Sequence, residues 1–282
     1  MENKTIIGVD IGGTNINFGK IRNGEIVERK AVATNAQCSE KEIIDDIISG
    51  IEALFDENIV GIGLGSPGLI DGEKGIVFDV SNIPAWKEVH LAEAIENRFK
   101  VTTRVSNDAN CFVMGEKIFG KGKSYKNIVG VTLGTGVGGG IVIDDKLYNG
   151  KFMAGEFSVM PYRDQNFDFY CGSRFFQEIH GFSGLEIAQK AQNGDIDALK
   201  IFEEYGEILS DLFKTIILVL NPEAIIIGGS IAKSYKFFEK SLKDNLQKFS
   251  LKRVIEHTKI EISTLEDVAV IGAAALVHDQ LA

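Results

Sequence analysis

The sequence predicts an α/β protein of two lobes, and three observations carry that expectation. Apolar strand-like runs end in glycine turns at three separate places. Apolar residues at helical spacing fill stretches between them. The chain has 282 residues, enough for two lobes of ordinary domain size. The expected division is a small lobe over 1–117 and a large lobe over 118–282, with the last helix packing back on the small lobe.

Composition narrows the function before any motif does. The formal charge is −10, with acids and bases interspersed, which argues against nucleic acid or an anionic membrane as the main partner. A small soluble metabolite fits better. The cysteines, Cys38, Cys111 and Cys171, are odd in number and lack C-x-x-C spacing, so neither a disulfide framework nor a cysteine zinc site is expected. The expected compartment is the cytosol. No basic segment with a long apolar stretch follows Met1, so no secretory leader is expected, and no apolar run approaches membrane-spanning length.

In chain order, Thr5 to Asp10 reads as a buried strand running into Asp10-Ile11-Gly12-Gly13-Thr14-Asn15, after which Ile16 to Lys20 is again extended. Gly12 and Gly13 let backbone amides approach an anion, Thr14 offers a hydroxyl, and Asp10 can hold a magnesium ion or its water shell. The plain alternative is a tight hairpin turn. Ser39 with Glu42 forms a capping box for a helix whose Ile43, Ile44, Ile47, Ile48, Ile51, Leu54 and Phe55 follow at helical spacing. A strand over Ile59 to Leu64 enters Gly65-Ser66-Pro67-Gly68. The loop Asn82-Ile83-Pro84-Ala85-Trp86 brings an amide suited to a polyol, and a tryptophan read as core.

The stretch Val105-Ser106-Asn107-Asp108-Ala109-Asn110 ends an apolar run in an acid set among amides. Asp108 there can take a proton from a substrate hydroxyl if its neighbours place it. Capping of a helix over Ala109 to Gly120 would account for the same residues. The second glycine run, Thr132 to Gly140, contains a formal G-x-G-x-x-G. The dinucleotide reading requires a helix at the third glycine, whereas Ile141-Val142-Ile143 reads as a strand, so a nicotinamide cofactor is rejected. Ala154 to Ser183 reads as an aromatic-rich loop. A long helix over Asp195 to Leu220 stops at Asn221-Pro222. A strand over Ala224 to Ile227 then meets a third turn, Gly228-Gly229-Ser230, followed by a helix near Lys233 to Lys248, a strand over Lys259 to Ser263 and a helix over Val268 to His278.

Glycine turns at Gly12, Gly134 and Gly228, a central aspartate and two βββαβα-like halves with a helical insertion together resemble the actin-like ATPase (ribonuclease H-like) fold. Within it the chain is similar to the ROK family of sugar kinases. The matching motifs are Asp10-Ile11-Gly12-Gly13-Thr14, Asn107-Asp108-Ala109-Asn110, Leu133-Gly134-Thr135-Gly136-Val137-Gly138-Gly139, Gly155-Glu156 and Ile227-Gly228-Gly229, in that order across the whole chain. The resemblance implies that Asp108 is the general base. It places ATP phosphates at Asp10, Gly12, Gly13, Thr14 and Asn15 and at Gly134, Thr135 and Gly136, with Gly228 and Gly229 facing the nucleoside. Gly65, Asn82, Asn107, Glu156 and Asp168 would hold the sugar.

Two departures matter. Many members follow the Gly-Glu pair with a histidine and a cysteine-rich zinc loop, but here the histidine position reads Val159 and Cys171 alone remains of the cysteines. Zinc is therefore not expected, and the rings of Phe152, Phe157, Tyr162, Phe167, Phe169, Tyr170, Phe175 and Phe176 are expected to order the loop instead. The second sugar-binding acid has two registers. Aligning Cys171-Gly172 with the zinc loop selects Glu178, and aligning Phe167-Asp168 with the aromatic-acid pair of zinc-less members selects Asp168. Asp168 is preferred, because the stretch then resembles the zinc-less N-acetylmannosamine and β-glucoside kinases.

The expected activity is ATP- and Mg²⁺-dependent phosphorylation of the 6-hydroxyl of a hexose, glucose first, with N-acetylmannosamine or a β-glucoside as alternatives. The expected partners are sugar, ATP and a second copy of the chain, with no nucleic acid and no membrane. The family also resembles sugar-responsive repressors, which carry an added N-terminal helix-turn-helix. Here the first strand begins by Thr5, and the acidic charge disfavours DNA.

Overall fold

The computed structural model describes residues 4–152 and 154–278. They fall into two compact units, each made of more than one stretch of chain. The first unit takes the described residues of Met1–Ser124, Gly140–Ala154 and Thr264–Ala282, and the second takes Tyr125–Gly139 and Gly155–Ser263. The chain passes from one to the other inside the strand Val137–Ile143. Packing explains why the last helix belongs to the first unit. The helix Val268–His278 runs over the strands Thr5–Ile11 and Ile59–Gly65, so closely that a Cβ on Gly8 would overlap the Val270 carbonyl and one on Gly63 the Ala273 carbonyl. The segment after Gly140 is likewise tied to the first unit, through the 2.9 Å bond from Asn110 Nδ2 to Asn149 Oδ1.

The first unit is built on a five-stranded sheet in the order 25–33, 15–22, 5–11, 59–65, 102–106. The first three strands are antiparallel neighbours and the last three are parallel. The helix Glu40–Glu52 starts at Ser39 with both arms of the capping box formed, and buries Ile43, Ile47 and Ile51. Its core also contains Trp86, which is fully buried. Burying side chains of this size stabilises by roughly 1.5–3 kcal/mol each.

The second unit carries a sheet in the order 146–147, 137–143, 128–133, 224–228, 259–262, of which the edge pair 146–147 lies in the segment assigned to the first unit. Strand Ala224–Gly228 is parallel to both Ile128–Leu133 and Lys259–Ile262. The helix Ile196–Leu220 is capped by Asp195, which accepts from Asp197 and Ala198 amides, and ends at Asn221 in the left-handed conformation before Pro222. Its Phe202, Tyr205, Leu209, Leu212 and Phe213 are buried.

The stretch read as a loop between Ala154 and Ser183 is instead a succession of short elements. They are a 3₁₀ turn Phe157–Val159, a two-residue hairpin of Pro161–Tyr162 with Gln165–Asn166, a helix Phe167–Cys171 and a π-helical turn Phe175–Ile179. None is long enough to show a hydrophobic period. Tyr162 stacks on Phe167 at 4.5 Å, Phe175 and Phe176 are fully buried, and the Tyr205 hydroxyl donates to the Cys171 carbonyl at 2.7 Å. Phe152 does not join this cluster, because it lies in the first unit, edge-on to Phe78 at 6.0 Å.

Candidate active site

In the first unit, three parallel strands bring their C-terminal ends into one row. The register pairs Asp10 with Gly65 and Gly65 with Ser106, and Asp108 follows two residues later as the first residue of the helix Asp108–Phe119. Ligands of open α/β sheets bind at such carboxyl ends. The helix cap is Asn107 and not Asp108. Asn107 is the N-cap, its side chain accepting from the Asn110 amide at 2.8 Å, which leaves Asp108 exposed at a helix N-terminus with one oxygen accepting from the Ala109 amide at 2.8 Å. Asn110 is buried below and donates to Ser106 Oγ at 3.0 Å.

Asp10 is half-buried and accepts from Asn17 Nδ2 at 3.3 Å. Burial pushes its carboxyl above the usual range, the Asn17 bond opposes that, and the nearby charge of Asp108 adds to it. The same two acids, after burial itself, push the Cys111 thiol beneath them well up, so Cys111 is a neutral packing group. Two adjacent carboxylates of this kind suit a divalent cation, whose charge would relieve both.

The turn after Asp10 is the tight hairpin that the plain reading allowed, with Ile11 paired to Ile16. The Gly12 amide donates to the Asn15 carbonyl at 3.0 Å, the Thr34 hydroxyl donates to the Gly12 carbonyl at 2.7 Å, and the Thr34 amide donates to the Thr14 carbonyl at 2.8 Å. These bonds orient the peptide planes of the turn and leave Thr14 and Asn15 exposed. Asn82 is also exposed and lies against the turn, since a Cβ on Gly13 would overlap its Nδ2.

The second unit repeats the arrangement. Thr132 pairs with Gly228 across parallel strands, and Gly134 and Gly229 follow as the strands end. Gly229 has φ +89°, and a Cβ there would overlap the Leu133 carbonyl, so glycine is required on both counts. A cavity of about 750 Å³ opens beside these turns, with Thr135, Phe176, Gln189, Ser230 and Lys233 among its lining residues. The strand Val137–Ile143 confirms that no helix starts at the third glycine, which excludes the dinucleotide geometry.

The predicted sugar acids of this unit fare differently. Glu156 is half-buried after Gly155, whose φ is +95°, and opens the turn Phe157–Val159. Glu178 is exposed on the π-helical turn. Asp168, the preferred second acid, is half-buried and engaged within its own unit. Its Oδ1 accepts from the Val137 amide at 2.9 Å and its Oδ2 from Arg174 Nη2 at 3.0 Å. Asn17, Thr34 and Arg174 are missing from the sequence-based site. Asn17 had a signal in the hairpin, which sets it directly across from Asp10.

Two units of this kind, each ending parallel strands at a glycine turn, with paired acids in one and a large cavity in the other, define the actin-like ATPase fold. The chain belongs to the ROK family, whose model matches residues 6–280. It is 30% identical to a glucokinase of Halalkalibacterium halodurans, over 99% of this chain and 97% of that one. Among solved structures it is similar to a ROK family glucokinase from Streptomyces griseus in complex with glucose and AMPPNP, with a TM-score of 0.77, 26% identity, and coverage of 96% of this chain and 98% of that one. A xylose repressor of Bacillus subtilis is 28% identical over 85% of this chain and 68% of its own length.

Proposed function

We propose that this chain transfers the γ-phosphoryl group of ATP to the 6-hydroxyl of a hexose, glucose before N-acetylmannosamine or a β-glucoside, with Asp108 as general base. The observation that carries the proposal is the exposed Asp108 carboxylate at a helix N-terminus, at the carboxyl edge of the sheet and beside Asp10. Its free lone pairs accept the hydroxyl proton while the sugar oxygen attacks phosphorus. Asn82, Asn107 and Glu156 hold the ring, with Gly65 leaving room at the strand end. Backbone amides of the turns at Gly12 to Asn15 and Gly134 to Gly136 hold the phosphates and stabilise charge on the transferred group. Gly228 and Gly229 face the nucleoside from the strand end that leads into Ser230, which lines the cavity.

Mg²⁺ bound with ATP supplies charge neutralisation, and Asp10 is the residue that would hold it or its water shell. No zinc is needed in this reading, since the stretch Gly155 to Gly184 offers only Cys171 and His180 where a structural site takes four ligands. The enzyme works in the cytosol as a homodimer.

Kinship with a xylose repressor supports a second reading, a sugar sensor without catalysis. The net charge of −10 favours the kinase. Coupled ATP turnover over a panel of glucose, N-acetylmannosamine and a β-glucoside separates them. The kinase reading expects turnover with at least one sugar and most with glucose. Sugar binding by calorimetry with no turnover across the panel would replace it by the sensor.

A further inference from the structure

The acid expected to hold the sugar carries a different task. The Asp168 carboxylate is bonded at both ends within the second unit, to the Val137 amide that closes the glycine turn and to the Arg174 guanidinium. Contact with the turn extends beyond those bonds. A Cβ on Gly136 would overlap Asp168 Oδ1. The Ser173 amide donates to the Gly134 carbonyl at 2.9 Å and to the Thr135 carbonyl at 3.2 Å, and the Ser173 hydroxyl donates to the same Thr135 carbonyl at 3.2 Å. A Cβ on Gly172 would lie 2.8 Å from that carbonyl too. Arg174 is in turn steadied by the Phe169 ring, 5.2 Å below its guanidinium carbon.

The segment 168–174 thus grips the turn Gly134 to Val137 from behind. It engages the carbonyls of Gly134 and Thr135 and one amide, that of Val137. A peptide plane held by its carbonyl has its N–H direction fixed as well, and hydrogen bonds to an ionised partner are the strong ones. We infer that Asp168, held by Arg174, is a positioning residue that sets the orientation of the Gly134–Val137 turn, and so acts on nucleotide binding and not on the sugar. The inference rests on the reading above that this turn holds phosphate.

The test uses the full-length protein and the variants Asp168→Ala, Asp168→Asn and Arg174→Gln, with circular dichroism to show that each is folded. ATP and glucose affinities are measured separately by calorimetry, and KM for each by coupled assay. Removing a charged acceptor from a buried amide is expected to weaken ATP binding roughly tenfold to a hundredfold in Asp168→Ala. Glucose affinity stays within about twofold. Asp168→Asn keeps an oxygen for the Val137 amide and is expected to recover most of the ATP affinity, and Arg174→Gln is expected to lie between the two. A loss confined to glucose affinity, or unchanged ATP affinity in a folded Asp168→Ala, would overturn the inference alone. Failure of the unaltered protein to bind ATP would overturn the phosphate reading, and this inference with it.

Discussion

The glycine turns of the two units follow one sequence recipe, a strand, two glycines with a threonine, and a second strand, yet the acids beside them are handled in opposite ways. In the first unit Asp10 takes an amide from Asn17 and feels the charge of Asp108, which helps to raise its pKa. In the second, Asp168 is neutralised by Arg174 on one oxygen and bonded to backbone on the other. Two carboxylates left close together weaken the fold locally, but they attract a cation and leave lone pairs for a proton. A carboxylate satisfied on both oxygens does neither, and serves to hold its surroundings. The same residue type beside the same kind of turn is left without a cationic partner in one unit and is paired with arginine in the other.

Three substitutions or treatments probe that contrast. The largest effect is expected from Asp108→Asn, which keeps the helix start and removes the base. Turnover should fall by roughly two to four orders of magnitude with sugar affinity retained. Near-normal turnover in the folded variant would show that the unpaired acids of the first unit are not where the proton goes.

The next effect compares the turns directly. Gly136→Ala places a methyl on the fixed Asp168 carboxylate, whereas Gly13→Ala places one on the exposed Asn82 amide, which can move aside. ATP affinity should drop roughly tenfold in the first variant and less than about threefold in the second, where the cost falls on sugar KM instead. Equal losses of ATP affinity would mean that the two turns are braced alike.

The smallest expected effect is none at all. Purified protein should hold no stoichiometric zinc, and chelation followed by restored Mg²⁺ should leave activity and melting temperature unchanged. Stoichiometric zinc by elemental analysis, lost together with activity, would mean that aromatic packing does not order the 154–183 segment.

Much of this was legible in the sequence, and the gaps share a cause. Strands, capped helices and the glycine turns declare themselves through local chemistry: Ser39 with Glu42, Asn221 before Pro222, Gly229 in a conformation closed to other residues. The motif Asn107-Asp108 was legible too, although sequence alone left cap and base undecided until Asn107 proved to be the cap. The bonds of Asp168 were not legible, because its partners, Val137 and Arg174, sit 31 and 6 residues away with no periodic relation. The short elements between Ala154 and Ser183 were missed because each holds fewer residues than a pattern needs. The last helix carries no hydrophobic stripe, and its small residues, Gly272 to Ala275, are what marked it for close packing. What the structure adds is the identity of the residues beneath them, Gly8 and Gly63.

That last helix has a consequence for how the protein is made. Val268–His278 lies directly on the central strands of the first unit and against the Asp108–Phe119 helix, where a Cβ on Gly272 would overlap the Cys111 carbonyl. During synthesis the strands carrying Asp10 and Gly65 leave the ribosome early, but the surface that covers them is among the last to be translated. The second unit can complete its own core before Val268 is made, while that face of the first unit's sheet waits for the helix that follows. A nascent chain truncated before Val268 would therefore carry a finished second unit and an unfinished first one, with Ile6 and Ile21 open to chaperones in place of Val270, Ala274 and Val277.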